Sequence, residues 1–197
     1  MNGLNARYLT ADELAGLAFA SCGENVRIHS TAVLVNCQNI SLADHIRIDP
    51  FCVISAGTRV TIGRNVHIAS FASVIGAAEV EIGDFVGISQ GCRILAASDD
   101  FDGTFLTGPT LPAKYTRVHK EPVRLDRHAV VGAGSVVLPG CEVGEGAIVG
   151  ALSLVNQDLE PWRIYAGVPA RAIRDRKRDL LALEAEYLRQ TPPPHLK

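Results

Sequence analysis

The side chains best suited to move a proton in this chain are two histidines and two adjacent aspartates. His67 falls five residues after Ile62, His119 stands among charged and apolar residues much further on, and Asp99 and Asp100 are neighbours. An imidazole titrates near neutral pH and can serve as a general base. A neighbouring subunit could bring His67 and an aspartate of the long loop together, with the carboxylate orienting the ring. The two aspartates could instead act as the base, hold a ligand's hydroxyl groups, or shape the turn in Asp99-Asp-Phe-Asp-Gly103. Either histidine could equally be an ordinary exposed residue. A second group is small: Gly132, Gly134, Gly150 and Ala151. They would leave a slot in which a long thin cofactor hydrogen-bonds to backbone, unless tight corners alone demand them. A third group, Arg171, Arg174 and Lys177, could bind phosphates or form a solvated helix face.

These residues need a frame, and the frame repeats. Ser41-Leu-Ala-Asp-His-Ile-Arg-Ile48, Thr61-Ile-Gly-Arg-Asn-Val-His-Ile68 and Glu81-Ile-Gly-Asp-Phe-Val-Gly-Ile88 are near copies spaced 20 residues apart. Inside them aliphatic residues recur every six: Leu42, Ile48, Ile54, then Ile62, Ile68, Val74, then Ile82, Ile88, Ile94, each third step being two residues longer. A fixed internal period predicts a stacked solenoid. Most of these aliphatics are followed four residues later by a small or β-branched residue, as at Cys52, Thr58, Ala72, Ala78 and Cys92. That pattern predicts short strands with alternate residues inward and tight corners between them, three strands to a triangular coil. The rhythm resumes at Leu125 and continues through Val131, Val137, Val143, Val149 and Val155 in even coils of 18 residues.

The rhythm breaks once, at about residues 96–122. A loop that long is usually functional or disordered, and Phe101, Phe105, Leu106 and Tyr115 argue for order. It is expected to be an arm reaching over a neighbouring subunit. At the start, Thr10-Ala-Asp-Glu13 has capping-box spacing and opens a short helix that can plug the first coil. At the end, Arg171 to about Gln190 is charged with apolar residues at Ile173, Leu180, Leu181, Leu183 and Leu188, which predicts an amphipathic helix closed by Thr191-Pro-Pro-Pro194. The expected organisation is a cap helix in 1–21, the solenoid in 22–170, and a helix and tail in 171–197.

Composition narrows the partners. Hydrophobic residues make up 47% but aromatics only 6%, so the core must be Ile, Val, Leu and Ala. A net charge of −2 offers no field to attract nucleic acid. No apolar run approaches the roughly 18 residues of a membrane span, and the N-terminus lacks a signal peptide's apolar stretch. The expectation is a cytoplasmic protein without membrane or nucleic-acid partners. Five cysteines with no C-x-x-C pair argue against a disulfide framework. Cys52, Cys92 and Cys141 occupy small-residue positions and read as core hydrophobes, while His29, His45, His128 and His195 read as surface residues.

Three segments carry a resemblance: Val130-Val-Gly-Ala-Gly-Ser-Val-Val-Leu-Pro-Gly140, Gly146-Ala-Ile-Val-Gly-Ala-Leu-Ser-Leu-Val155 and Ile164-Tyr-Ala-Gly-Val-Pro-Ala-Arg171. Over about residues 22–176 the chain resembles the hexapeptide-repeat acyltransferases, specifically sugar O- and N-acetyltransferases related to galactoside and maltose acetyltransferases. The resemblance implies a left-handed parallel β-helix and a homotrimer with active sites between subunits. It also implies an acetyl-CoA-dependent acetyltransferase acting on a hydroxyl or amine of a sugar or nucleotide sugar, by analogy in surface-polysaccharide biosynthesis. The Gly132–Ala151 region would then bind the cofactor and Arg171, Arg174 and Lys177 its phosphates. One departure matters. The family's catalytic histidine stands where this chain reads Ala97-Ser98-Asp99-Asp100, which leaves His67, Asp99, Asp100 and His119 as catalytic candidates. An amine acceptor would need a weaker base than a hydroxyl and would suit a site led by aspartates. Two alternatives stand beside this reading: a non-catalytic β-helix scaffold, and a zinc enzyme of the γ-carbonic anhydrase kind, for which only His67 stands in the middle coils.

Overall fold

Aliphatic residues six apart form three inward columns, one for each side of a triangular coil. The computed structural model describes residues 7–190, and in it Leu42, Ile62, Ile82, Leu125 and Val143 stack on the first side. Ile28, Ile48, Ile68, Ile88, Val131 and Val149 stack on the second, and Ile54, Val74, Ile94, Val137 and Val155 on the third. All are almost fully buried. Burying one such side chain contributes about 1.5–3 kcal/mol, so the columns are the main source of cohesion. The result is a left-handed parallel β-helix of three sheets, with the backbone of each coil bonded to the next.

The second sheet matters most below. Its strands run in the order Arg27–Ile28, Arg47–Ile48, His67–Ile68, Gly87–Ile88, Val130–Val131, Ile148–Val149, Arg163–Ala166 and Arg171–Asp175. All neighbours are parallel except the last pair. That last strand corrects the sequence reading: Arg171–Asp175 is fully exposed strand, and helix begins only at Leu180, ending at Arg189. Pairing with Arg163–Ala166 satisfies its backbone, so its exposed charges need no helical face. At the other end the capped helix is Ala11–Gly16, with both reciprocal bonds of the capping box between Thr10 and Glu13. Leu9, Leu14 and Phe19 pack against the core.

The long excursion leaves the third side after Leu95. Ala97–Asp99 pairs antiparallel with Val118–Lys120, and the chain between them folds out from the coil. In the earlier coils the same corner holds the two extra residues of each 20-residue period, as at Gly57-Thr58. An insertion therefore enters where the coil is already loosest. Cys52, Cys92 and Cys141 are buried in the core.

Candidate active site

Within its own chain His67 has an aspartate partner that belongs to the coil and not to the long loop. His67 points outward from the second sheet, and its Nε2 lies 2.8 Å from Oδ2 of Asp49 in the coil below. Asp49 is buried and also accepts bonds from Arg47 Nε at 2.7 Å and the Tyr8 hydroxyl at 3.2 Å. Burial pushes its carboxyl pKa up, but the bonds from His67 and Arg47 outweigh that and hold it below the ordinary value. The imidazole is thus oriented by a carboxylate that stays ionised, with half its side chain open to solvent. The available signal was spacing: residues 20 apart stack directly, so 18 apart is the diagonal neighbour.

The other three candidates meet in the excursion. Ser98, Asp99, Asp100, Phe101, Asp102, Arg117 and His119 line an open cleft of about 430 Å³. The antiparallel pairing sets His119 directly opposite Ser98, and both line this cleft. His119 also contacts Glu121 at 3.2 Å. The two aspartates divide in role. Asp100 Oδ2 accepts from the backbone of Thr104 and Phe105 at 2.8 and 2.9 Å, which shapes the turn. Among the described residues the Asp99 carboxylate has no such partner and faces the cleft. His67 is not among the residues that line it.

The small residues expected to form a cofactor slot divide as well. A Cβ on Gly132 would lie 2.6 Å from Ala151 N, and one on Gly150 would lie 2.9 Å from the Ala166 Cβ. Both glycines are demanded by the closeness of the next coil. Gly134, at φ +70, is exposed, but an added Cβ would lie 2.8 Å from Leu152 Cδ2 of the next coil, which leaves Ala151 as the one exposed position of the four without a glycine constraint. Arg171, Arg174 and Lys177 are exposed near the last strand of the second sheet, and none pairs with a carboxylate among the described residues.

Two of the four histidines read as surface are in fact buried. His29 lies edge-on to Tyr8 and bonds Thr31. His128 sits beneath the C-terminal helix with its Nε2 2.9 Å from Glu184. His45 is part-exposed, and His195 lies outside the described residues. Among the described residues of this one chain no three His, Cys, Asp or Glu side chains converge where they could hold a metal ion. No described helix is long and apolar enough to cross a membrane.

Comparison with known proteins agrees with the fold. No family model matches the chain. It is 39% identical over 181 residues to the dTDP-4-amino-4,6-dideoxy-D-glucose acyltransferase of Escherichia coli, covering 91% of this chain and 94% of that one. Its fold superposes with a TM-score of 0.90 on AntD, an N-acyltransferase from Bacillus cereus solved with dTDP and 3-hydroxybutyryl-CoA; the two are 41% identical over 94% of this chain and 97% of AntD. A maltose O-acetyltransferase from Clostridium difficile, 24% identical with a TM-score of 0.55 over 85% of this chain and 74% of that one, shares the fold.

Proposed function

This chain belongs to the hexapeptide-repeat acyltransferase family that includes the Escherichia coli dTDP-amino-sugar acyltransferase, and we propose that it moves an acyl group from coenzyme A to the amine of a dTDP-linked amino-sugar. The observation that supports this most strongly is the likeness to AntD, one structure of which holds dTDP-4-amino-4,6-dideoxyglucose and coenzyme A together. The amine attacks the thioester carbonyl, a C–N bond forms, the C–S bond breaks, and the thiolate leaves with a proton. An amino-sugar reaches the site as an ammonium, so a carboxylate that both attracts it and takes its proton is the simplest base. Asp99, without a hydrogen-bond partner for its carboxylate among the described residues and lining its cleft, suits that role.

Other AntD structures carry replacements of one serine and of one aspartate ten residues further on. Ser89 and Asp99 are the one such pair in this sequence. Ser89 follows the second-sheet strand Gly87–Ile88, while Asp99 ends the first strand of the excursion. A bend at Ala96 separates the third-side strand Arg93–Leu95 from Ala97–Asp99, so Ser89 and Asp99 stand at different sheets of the one chain. A neighbouring copy that brings its cleft against the second sheet would bring such a pair together, which favours a homotrimer with shared sites. The Asp49–His67 pair would then stand beside Ser89 on the wall facing that cleft. Five free cysteines suit the reducing cytoplasm.

Steady-state thiol release from acetyl-CoA with dTDP-4-amino-4,6-dideoxyglucose tests the reading. The wild type should turn over, and Asp99→Asn should lose about 100-fold in kcat, within the usual range for a general base. Equal rates for the two proteins would remove Asp99 from the chemistry.

A further inference from the structure

The second sheet carries arginines at both ends and its one outward histidine between them. Arg27, Arg47 and His67 share one outward column on its first three strands, while Arg171 and Arg174 belong to its last. The cations at the first end are held in place. The Arg27 guanidinium lies 4.4 Å from the Tyr8 ring centre and that of Arg47 lies 5.8 Å from it. Buried Asp49 ties down Arg47 and His67 at once. Arg27 has no carboxylate partner among the described residues, so two guanidiniums face one carboxylate and the cluster stays positive.

The next position in the column is Gly87. Neither backbone nor packing requires a glycine there: its φ is ordinary, and an added Cβ would meet only the Val130 methyls at 3.8 Å. Glycine inside a strand is less stable than alanine, because it loses more backbone freedom on folding. The missing side chain leaves open space over the sheet, next to the cations and on the same strand as the approach to Ser89.

Resting on the acyltransferase reading, we propose that Arg27 and Arg47 hold the diphosphate of the nucleotide-sugar acceptor, with its sugar lying over Gly87 toward Ser89. The spacing of the sheet distinguishes this end from the other. The Gly87 strand is two strands from Arg47, three from Arg27 and four from Arg171, or about 10, 14 and 19 Å at roughly 4.8 Å per strand. An acceptor sugar is joined directly to its diphosphate, whereas the thioester of an acyl-coenzyme A lies at the far end of a long pantetheine arm. The short reach fits the acceptor and the long reach fits the donor. Arginine suits both ends because its planar fork binds phosphate oxygens in pairs.

Calorimetric titration of the full chain with dTDP and, separately, with coenzyme A tests the assignment. Arg27→Gln should weaken dTDP by about tenfold or more and leave coenzyme A within about twofold, as loss of a charged hydrogen bond implies. Arg27→Lys should fall between, and Gly87→Val should unfold no earlier than wild type yet lose dTDP-4-amino-4,6-dideoxyglucose. Unchanged dTDP binding in Arg27→Gln, or weakened coenzyme A binding instead, would overturn the assignment while sparing the acyltransferase reading. A wild type that binds neither ligand would overturn both.

Discussion

At the scale of single residues, Asp49 is the group on which the outward face of the second sheet depends. It accepts three hydrogen bonds while buried, and its pKa is held below the ordinary value. A depressed carboxyl pKa contributes stability that is present above the unfolded value of about 3.9 and is lost as pH falls through the folded one. Asp49→Asn should therefore cost about 1–3 kcal/mol at pH 7, and the gap to wild type should narrow below about pH 4. Urea midpoints at the two pH values check this. A gap that does not change with pH would mean that Asp49 acts by shape alone. The same residue marks what the sequence could not disclose. His67 was legible as an outward histidine because Ile62 and Ile68 fix its register. Its partner was not, because the diagonal contact depends on how two side chains lean across coils. Ser89 escaped notice for a related reason: a serine at a corner of this fold looks like any other small residue.

At the scale of elements, the C-terminal helix is fastened to a corner that the sequence did not mark. His45, Asn65, Phe85 and His128 all adopt left-handed backbone there, and each donates its N–H to the coil below. Glu184, buried on the helix, contacts both Arg127 and His128, and the Tyr187 hydroxyl donates to Asn65 at 2.9 Å. Burial first, then the nearby Arg127 and Arg176 charges, push the His128 pKa down. Glu184→Ala leaves Arg127 without its carboxylate and should destabilise the helix by about 1–3 kcal/mol. Because the helix ends the described fold, hydrogen exchange should quicken in 180–189 while the coils keep their protection. Uniform quickening would show that the helix is part of one cooperative unit with the solenoid. The helix starts later than the sequence predicts because Arg171–Asp175, with charges at 171, 174 and 175, shows no alternating apolar face of a strand. Its backbone is satisfied by an antiparallel neighbour that no period announces.

At the scale of the whole molecule, the coil stack was the most legible feature, since six-residue aliphatic spacing dictates three inward columns and each column is filled. The excursion was legible as an interruption of that spacing, but not as a hairpin that sets His119 opposite Ser98. The solenoid works as a ruler. Its second sheet sets two cationic ends at unequal distances from Gly87, and its third side launches an acidic cleft away from the same chain's Ser89. On this account a nucleotide amino-sugar and an acyl-coenzyme A meet where one copy's sheet faces another copy's cleft. The most direct test is the mass of the product formed from acetyl-CoA and dTDP-4-amino-4,6-dideoxyglucose, run beside the counterpart bearing a hydroxyl in place of the amine. The account predicts that the amino-sugar gains one acetyl group and the hydroxyl counterpart none. Acetylation of both at similar rates, or of neither, would contradict it.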